Sequence, residues 1–255
     1  MARSASIPAS FILALGLLGA CGGESAGGSG PAPRDDGPEL QARLDAEGLV
    51  VLEPGRTYRI RARLSVTRDG GGLVGDGTPL LVLGTAAGEF DNDDPLAKHG
   101  PDAVGILAQG LRDVVLKGFS VRKEPRDGTY VKAVSLRDCE NPRVEGLDVS
   151  GFGLGGGILS LDSVRGGVVR GNTIRDAYSD HPARGQITGI EVDDNRVAGG
   201  SVGLVIEANV IRNLAVGPRF FALFGWETDG ITIAHPDSSG HVLDRPFRRG
   251  DGGGR

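Results

Sequence analysis

The densest group of titratable side chains in the sequence lies between residues 175 and 184. Histidine titrates near neutral pH, so His181 is a candidate to abstract a proton, with Tyr178 as the alternative base. A guanidinium pairs well with a carboxylate, so Arg184 is a candidate to neutralise an acidic substrate group. The alternative is that His181 is an ordinary surface residue of a polar loop. The full group is Arg175, Asp176, Tyr178, Asp180, His181 and Arg184.

Three carboxylates follow this segment, at Glu191, Asp193 and Asp194. Glu191 and Asp193 are two residues apart, which on a β-strand places both side chains on one face. Carboxylate oxygens are the ligands that Ca²⁺ prefers, so the three residues form a candidate calcium site, and Glu191 and Asp193 are also candidates to polarise a sugar. No other cofactor is indicated. The alternative is that Asp193 and Asp194 begin a solvated turn at Asn195.

A six-residue phrase that recurs four times shows which elements position these residues. The phrase has an aliphatic residue at each end and a Gly or Ala before the corner residue. It occurs at 116–121, 144–149, 169–174 and 206–211, and successive copies begin 28, 25 and 37 residues apart. Gly and Asn break helices whereas Val and Ile favour strands, so each copy predicts two short strands joined by a corner. Repeats of a few tens of residues predict stacked units that bury their apolar faces on one another. Asn172 and Asn209 should then stack at equivalent corners, with Phe119 and Leu147 in the same slot of earlier units.

A second phrase begins another strand in each unit, at Ile106, Val134, Ile158, Ile190 and Ile231. If these residues point inward, alternation places one outward row at Leu107, Ser135, Leu159, Glu191 and Thr232. A second outward row follows at Gln109, Arg137, Asp193 and Ala234. Neighbouring members of a row lie about 4.8 Å apart. Arg137, Glu191 and Asp193 are therefore candidate substrate-binding residues on one face.

These repeats of strand, corner and loop resemble the right-handed parallel β-helix of the pectin lyase-like superfamily, over roughly residues 38–242. The entry to the fold is similar as well, since a short amphipathic segment at 38–45 precedes strand-like segments at 50–60 and 72–77. The resemblance implies an all-β solenoid with a short N-terminal helix that caps the first coil and hides strand edges. It also implies that the loop containing His181 walls a substrate groove.

Active-site motifs of this superfamily are matched in part. Residues 179–182 are similar to the Asp-Pro-His-Asp element of mannuronan epimerases, in a different order. The glycosidases carry an Asp pair, a Gly-His-Gly and an Arg-x-Lys; here Asp193 and Asp194 form the pair, His241 is followed by Val242, and no Arg-x-Lys occurs. The resemblance implies a carbohydrate-active protein, a polysaccharide lyase or epimerase on an acidic glycan first of all. A glycoside hydrolase using Glu191 and Asp193, and a non-catalytic carbohydrate-binding or scaffold β-helix, are the alternatives.

The first 20 residues predict a lipoprotein signal peptide. Arg3 precedes an apolar run at 11–18 that is too short to span a bilayer. Residues 18–21 match the bacterial lipobox, in which Cys21 becomes acylated, and residues 21–37 are typical of a flexible tether. We expect an extracytoplasmic protein attached to a membrane by its lipid anchor only, and Gly22 resembles the outer-membrane class. An ordinary secretory signal is the alternative.

Composition limits the remaining possibilities. With 39% apolar content the chain can form one elongated domain, expected at 38–244. A net charge of −5 and the lack of a basic patch give no reason to expect a nucleic-acid partner, and we expect a monomer. Once Cys21 is acylated, only Cys139 remains in the folded body, so no disulfide is expected there. Cys139 is predicted to be a small turn or core residue.

Two predictions concern the C-terminal part. Residues 220–226 contain three Phe and one Trp within a predicted loop at 212–227, which we expect to pack against the coil; stacking on a sugar ring is the alternative. Pro246 and the Gly-rich sequence after it predict an irregular tail at 245–255. Since proteins of this fold usually continue for more coils, we expect the chain to be truncated.

Overall fold

The structure is a computed structural model of the chain. The chain divides into two units, Met1–Ala32 and Pro33–Arg255, and all described residues belong to the second. The structure describes residues 34–84, 103–124, 131–152, 156–177, 187–193, 201–212, 220–225, 232–234 and 247–249. None of the helices in these ranges is long and apolar enough to cross a membrane. The predicted signal peptide and Cys21 lie outside them.

Three parallel sheets of short strands form the second unit. The first sheet contains β1 (Leu49–Val51), β4 (Gly72–Val74), β7 (Val115–Lys117), β10 (Arg143–Glu145), β13 (Val168–Arg170), β16 (Val205–Glu207) and β19 (Thr232–Ala234). The second contains β2 (Thr57–Ile60), β5 (Leu80–Leu83), β8 (Ser120–Lys123), β11 (Asp148–Ser150), β14 (Thr173–Arg175) and β17 (Val210–Arg212). The third contains β3 (Leu64–Val66), β6 (Ala103–Gln109), β9 (Val131–Arg137), β12 (Gly156–Asp162), β15 (Ile187–Asp193), β18 (Phe220–Gly225) and β20 (Phe247–Arg249). The chain visits the sheets in turn, which makes the fold the predicted right-handed parallel β-helix.

The recurring six-residue phrase forms the strands of the first and second sheets. Its aliphatic ends stack in register, Leu116 on Val144 and Val121 on Val149, and they are fully buried in one continuous core. The residue before each corner adopts a left-handed backbone at Gly118, Gly146, Gly171 and Ala208. Glycine adopts this conformation without a steric penalty, which explains why the phrase carries a small residue at that place.

The predicted asparagine stack is confirmed at the corner between the first and second sheets. Asn172 donates from Nδ2 to the Val144 carbonyl and to Asn209 Oδ1, both at 2.9 Å, and accepts at Oδ1 from the Leu147 amide at 3.0 Å. Asn209 donates in the same way to the Val169 carbonyl at 2.9 Å. The buried Phe119 and Leu147 occupy the slot in earlier coils. The stack satisfies buried backbone groups along the coil axis.

The helix α1 (Gly37–Glu47) covers the open end of the first coil, as predicted. Leu40 and Leu44 are buried in the core below it. The side chain of Gln41 pairs with the backbone of Ser65 in β3 as a neighbouring strand would. Gln41 Nε2 donates to the Ser65 carbonyl at 3.0 Å, and Gln41 Oε1 accepts from the Ser65 backbone N–H at 2.8 Å. Asp36 binds the edge of β2 by accepting from the Arg59 amide at 2.9 Å. These side chains occupy strand edges that would otherwise be unpaired.

One predicted register in the third sheet is wrong by a single residue. Leu159, not Ile158, pairs with Val134 and with Ile190. Ile158 and Leu159 are both buried in the core, so alternation fails where the strand begins and holds from Leu159 onward. Leu159 therefore does not belong to the outward row, and Ser160 takes its place.

The predictions for the C-terminal coil also require correction. Residues Thr232 and Ala234 belong to β19 of the first sheet, where Ile233 pairs with Ile206, so neither lies in the outward rows of the third sheet. The third-sheet strand of this coil is β18, which was predicted to be part of a loop and pairs with β15. Its Phe-rich sequence has high strand propensity, which explains the difference.

Part of the predicted irregular tail is a strand. Phe247–Arg249 forms β20, which pairs with β18. In the sequence it begins directly after Pro246, and the first residue of a strand and the one before it are places where proline is tolerated.

Cys139 lies in the turn after β9 and is fully buried, which confirms its predicted place. Its Sγ donates to the Arg137 carbonyl at 3.3 Å, and the thiol is free. Burial raises the pKa of the Cys139 thiol.

Candidate functional site

The outer face of the third sheet carries two rows of side chains in register. Leu159 and Leu161 point into the core, so the alternating residues of β12 face outward. The first row is Leu107, Ser135, Ser160 and Glu191, and the second is Gln109, Arg137 and Asp162. Strand spacing places neighbours in each row about 4.8 Å apart.

Most polar side chains of this face are buried. Exposure is between 0% and 8% for Lys132, Ser135, Arg137, Ser160 and Asp162. A buried charge has a large desolvation cost unless it is hydrogen-bonded or paired. Such side chains are unusual on the outer face of a solenoid, where polar groups normally meet water. Together with Glu191 we call these residues the third-sheet cluster.

The serines of the third-sheet cluster hold its two cations. Lys132 Nζ donates to Ser160 Oγ at 3.2 Å, and Arg137 Nε donates to Ser135 Oγ at 3.1 Å. The first contact links β9 to β12, and the second lies within β9. Because the hydroxyls accept from the cations, both cations are held in fixed positions on the outer face.

The carboxylates of the cluster lie on the following strands. Asp162 on β12 accepts from Ser163 Oγ at 3.1 Å. Glu191 on β15 is partly exposed, and Gln109 on the opposite side of Arg137 is exposed. The buried residues of the cluster therefore lie between two residues that reach solvent, Gln109 on one side and Glu191 on the other. Its charges are separated by strand, with both cations on β9 and the carboxylates on β12 and β15.

The structure brings together some of the residues predicted from the sequence. Arg137 lies within the third-sheet cluster, Glu191 lies in the same row as Ser135, and Asp193 is in backbone register with Asp162. The predicted catalytic residues lie outside the described residues, as does one proposed calcium ligand: Tyr178, His181, Arg184 and Asp194. Within the described ranges, no three His, Cys, Asp or Glu side chains are placed to hold a metal ion.

Three members of the cluster were missed from the sequence: Lys132, Ser160 and Asp162. The last two were missed because of the register error at Ile158. A signal existed, because the offset from Val144 to Val169 is 25 residues and the same offset carries Val134 to Leu159. Lys132 had no comparable signal, since its burial and its bond to Ser160 depend on contacts between strands.

The outer face of the first sheet has a different character. Lys117, Glu145, Arg170 and Glu207 are in register with alternating charge. Glu145 binds Arg143 at 3.1 Å and Arg170 at 2.9 Å, while those arginines remain about half exposed. Burial raises the pKa of the Glu145 carboxyl, but hydrogen bonds and charge from Arg143 and Arg170 outweigh it and hold that pKa below its usual range. This row links successive coils and leaves its cations in water.

A groove of about 880 Å³ lies at the N-terminal coils, away from the third sheet, and is lined by eight residues. Its arginines already bind carboxylates, since Arg56 contacts Glu53 at 2.6 Å and Asp36 at 3.2 Å. These contacts join the capping helix to the first coil. We therefore place the candidate site at the third-sheet cluster, where the charges are buried.

Comparison with known proteins supports the fold. No protein-family model and no curated protein matches the sequence. The structure is similar to ORF18 of Geobacillus virus E2, with 13% identity, coverage of 77% of this chain and a TM-score of 0.52. This chain spans 39% of that protein's length.

Two further solved structures align less well. A candidate glycosyl hydrolase from Parabacteroides merdae has 8% identity and a TM-score of 0.45, with 80% of this chain and 91% of that chain covered. The A-module of a mannuronan C-5 epimerase from Azotobacter vinelandii has 13% identity and a TM-score of 0.30, with 85% and 76% covered. At these identities the comparisons concern the fold, and the function must be inferred from the site.

Proposed function

We propose that the protein binds an acidic polysaccharide on the outer face of the third sheet and acts on it as a lyase or epimerase. The observation that carries the proposal is the pair of buried cations, Lys132 and Arg137, held by serine hydroxyls on that face. Positioned cations in a site of low solvent exposure are suited to a carboxylate ligand. The partly exposed Glu191 and exposed Gln109 mark the sides from which a glycan chain reaches them.

The chemistry begins with neutralisation of a uronate carboxylate by Arg137 and Lys132. This makes the proton on the carbon next to the carboxylate more acidic, and a base removes it. In elimination, the bond from the neighbouring carbon to the glycosidic oxygen breaks, a carbon–carbon double bond forms, and the leaving oxygen takes up a proton. In epimerisation, a proton returns to the opposite face of the same carbon. His181 or Tyr178 is the proposed base, with Arg184 as a further carboxylate-binding residue.

Calcium is a second means of neutralising the substrate carboxylate. Glu191, Asp193 and Asp194 would hold the ion, and their oxygen atoms are of the type that Ca²⁺ prefers. Asp162 is in register with Asp193 and adds a further carboxylate on the adjacent strand. A bound Ca²⁺ would supply positive charge next to the cations of β9.

Elimination is tested by the absorbance of the unsaturated sugar after incubation with pectic, alginate and glycosaminoglycan polymers, with and without Ca²⁺. We expect a product with at least one polymer. Arg137→Gln should abolish its formation, whereas Arg165→Gln, an exposed arginine in the turn after β12, should not. Comparing His181→Gln with Tyr178→Phe identifies the base. Circular dichroism must show that each variant is folded, and epimerisation is followed by NMR of the polymer.

Hydrolysis is the second candidate because Asp162 and Asp193 are in register on adjacent strands. Two neighbouring carboxyl groups are the residues that glycosidases use as acid and as base or nucleophile. Reducing ends formed without new absorbance would support hydrolysis. Binding of an acidic glycan without either product would indicate a binding or scaffold β-helix and would contradict the lyase proposal.

For the location of the protein, we propose a lipid anchor at Cys21, supported by the lipobox at 18–21 and the Gly/Ser/Pro-rich segment after it. Replacing the cysteine removes the acylation site without changing the folded unit. Cys21→Ser should therefore move the protein from the membrane fraction to the soluble fraction of a bacterial host. Unchanged membrane association of this variant would contradict the anchor.

A further inference from the structure

We propose that Phe224 of β18 is a further glycan-binding residue on the third sheet, and that it binds one sugar of the chain by stacking against the sugar ring. This inference rests on the proposed function, because it extends the same binding face by one strand. It follows from the register of β18, a strand that was predicted from the sequence to be part of a loop.

The pairing of β18 with β15 assigns each residue of β18 to a side of the sheet. Leu223 pairs with Ile190, and Phe224 pairs with Glu191. Ile190 and Val192 are buried in the core, whereas Glu191 between them is partly exposed and belongs to the first outward row. Phe224 therefore holds the next position of that outward row.

The other phenylalanines of β18 hold different positions. Phe221 pairs with Thr188, which is fully buried, and it precedes Leu223 by two residues on the inward side of the strand. Phe220 is the first residue of β18, at the end where alternation fails in β12. The register therefore assigns Phe224, and not its two neighbours, to the row that contains Glu191.

An aromatic residue at this position suits a sugar ligand. A pyranose ring has a face of C–H groups that is apolar, and an aromatic ring offers a flat apolar surface with few rotatable bonds. Covering these two surfaces with each other removes both from water, which is favourable. Stacking uses neither an ion pair nor a hydrogen bond, so it does not depend on how the charges of the third-sheet cluster are paired. Ligand sites commonly combine apolar or aromatic surface with a few polar groups that fix orientation.

The place of β18 in the sheet sets a length requirement for the ligand. It lies three strands from β9, which is about 14 Å along the stack. One strand spacing is close to the length of one linked sugar. A glycan that runs along the coil axis with an acidic sugar over β9 therefore reaches Phe224 with the third sugar after it, and four sugars are needed to span both.

The experiment measures binding of two lengths of oligosaccharide by calorimetry. The probes are trisaccharides and hexasaccharides of uronic acid prepared from pectate and alginate, with glycosaminoglycan hexasaccharides in parallel. Phe224→Leu keeps an apolar side chain but removes the ring, so it should weaken binding of the hexasaccharide about tenfold and leave the trisaccharide affinity unchanged. Phe224→Tyr keeps the ring and should bind the hexasaccharide as tightly as the wild type.

A matched control uses the same replacement in the same strand. Phe221→Leu changes a residue on the inward side of β18 and should leave the hexasaccharide affinity unchanged. Circular dichroism must show that both leucine variants are folded.

The outcomes separate this inference from the proposed function. If the wild type binds none of the acidic oligosaccharides, the proposed function and the inference both fail. If the wild type binds the hexasaccharide and Phe224→Leu binds it equally well, acidic-glycan binding stands and the stacking role is wrong. A loss in Phe224→Tyr or in Phe221→Leu as large as that in Phe224→Leu, or an equal loss for both lengths of ligand, would also overturn the stacking role at this position.

Discussion

The asparagine stack gives the sharpest prediction about how the coils are held together. In Asn172→Ala the buried Leu147 amide loses its side-chain acceptor, and the Val144 carbonyl loses the hydrogen bond from Asn172 Nδ2. A buried backbone amide left without a partner costs about 1–3 kcal/mol, and a lost hydrogen bond to a carbonyl costs about 1 kcal/mol, so we expect a loss of about 2–4 kcal/mol. Urea denaturation followed by circular dichroism should show a loss of this size in the free energy of unfolding.

Hydrogen exchange assigns this loss to individual amides. In Asn172→Ala the Leu147 amide should lose protection relative to the Asp148 amide, which donates to the Phe119 carbonyl and is unaffected. Asn209→Ala is the matched control. It removes the side-chain acceptor of the Asn172 backbone N–H and leaves intact the hydrogen bond from the Leu147 amide to Asn172 Oδ1. An unchanged free energy of unfolding, or a Leu147 amide that remains as protected as Asp148 in Asn172→Ala, would refute the reasoning.

Three other changes test separate parts of the fold. Glu145→Gln should reduce the free energy of unfolding by about 1–2 kcal/mol at neutral pH. Since the pKa of Glu145 is held below its usual range, the wild-type protein should keep this advantage above the usual glutamate pKa and lose it as pH falls through the lowered value. A difference that stays constant at all pH values would contradict this. Ala208→Gly should raise the melting temperature, because alanine at φ 53° carries roughly 1 kcal/mol of strain, whereas Ala46→Gly in the helix should lower it. Gln41→Ala should expose the β3 edge at Ser65 and produce concentration-dependent association in light scattering, and a variant that stays monomeric would argue against edge protection by that amide.

The first two sheets could be predicted from the sequence because each corner is marked by local chemistry. A small residue, glycine in three of the four copies, precedes each corner, and Asn172 and Asn209 are suited to satisfy the backbone groups around it. The corner fixes which residues face inward on both sides. The aliphatic residues that flank it were therefore assigned correctly.

The third sheet offered no comparable marker at its strand starts. Two consecutive residues, Ile158 and Leu159, enter the core there, so alternation counted from the first aliphatic residue gives the wrong phase. Counting back 10 residues from the first-sheet strand would have corrected it, since Val134 precedes Val144 and Leu159 precedes Val169 by that interval. Counting back 10 residues from Ile233 of the first sheet likewise gives Leu223, which is the residue of β18 that pairs with Ile190 in the third sheet.

The candidate site was predicted less completely than the fold. Arg137 and Glu191 were found because they are charged residues at outward positions of a strand. The burial of the cluster and the contact between Lys132 and Ser160 depend on packing between coils, which a single sequence does not show. Segregation of charge by strand became visible only when the register was corrected.

The central claim is that an acidic glycan binds on the third sheet, and a crystal structure of the protein with a bound acidic oligosaccharide tests it most directly. We predict that a carboxylate of the sugar lies within hydrogen-bonding distance of Arg137 and Lys132, with the chain running across β9, β12 and β15. A glycan bound on the first or second sheet, with the third-sheet cluster untouched, would contradict the account.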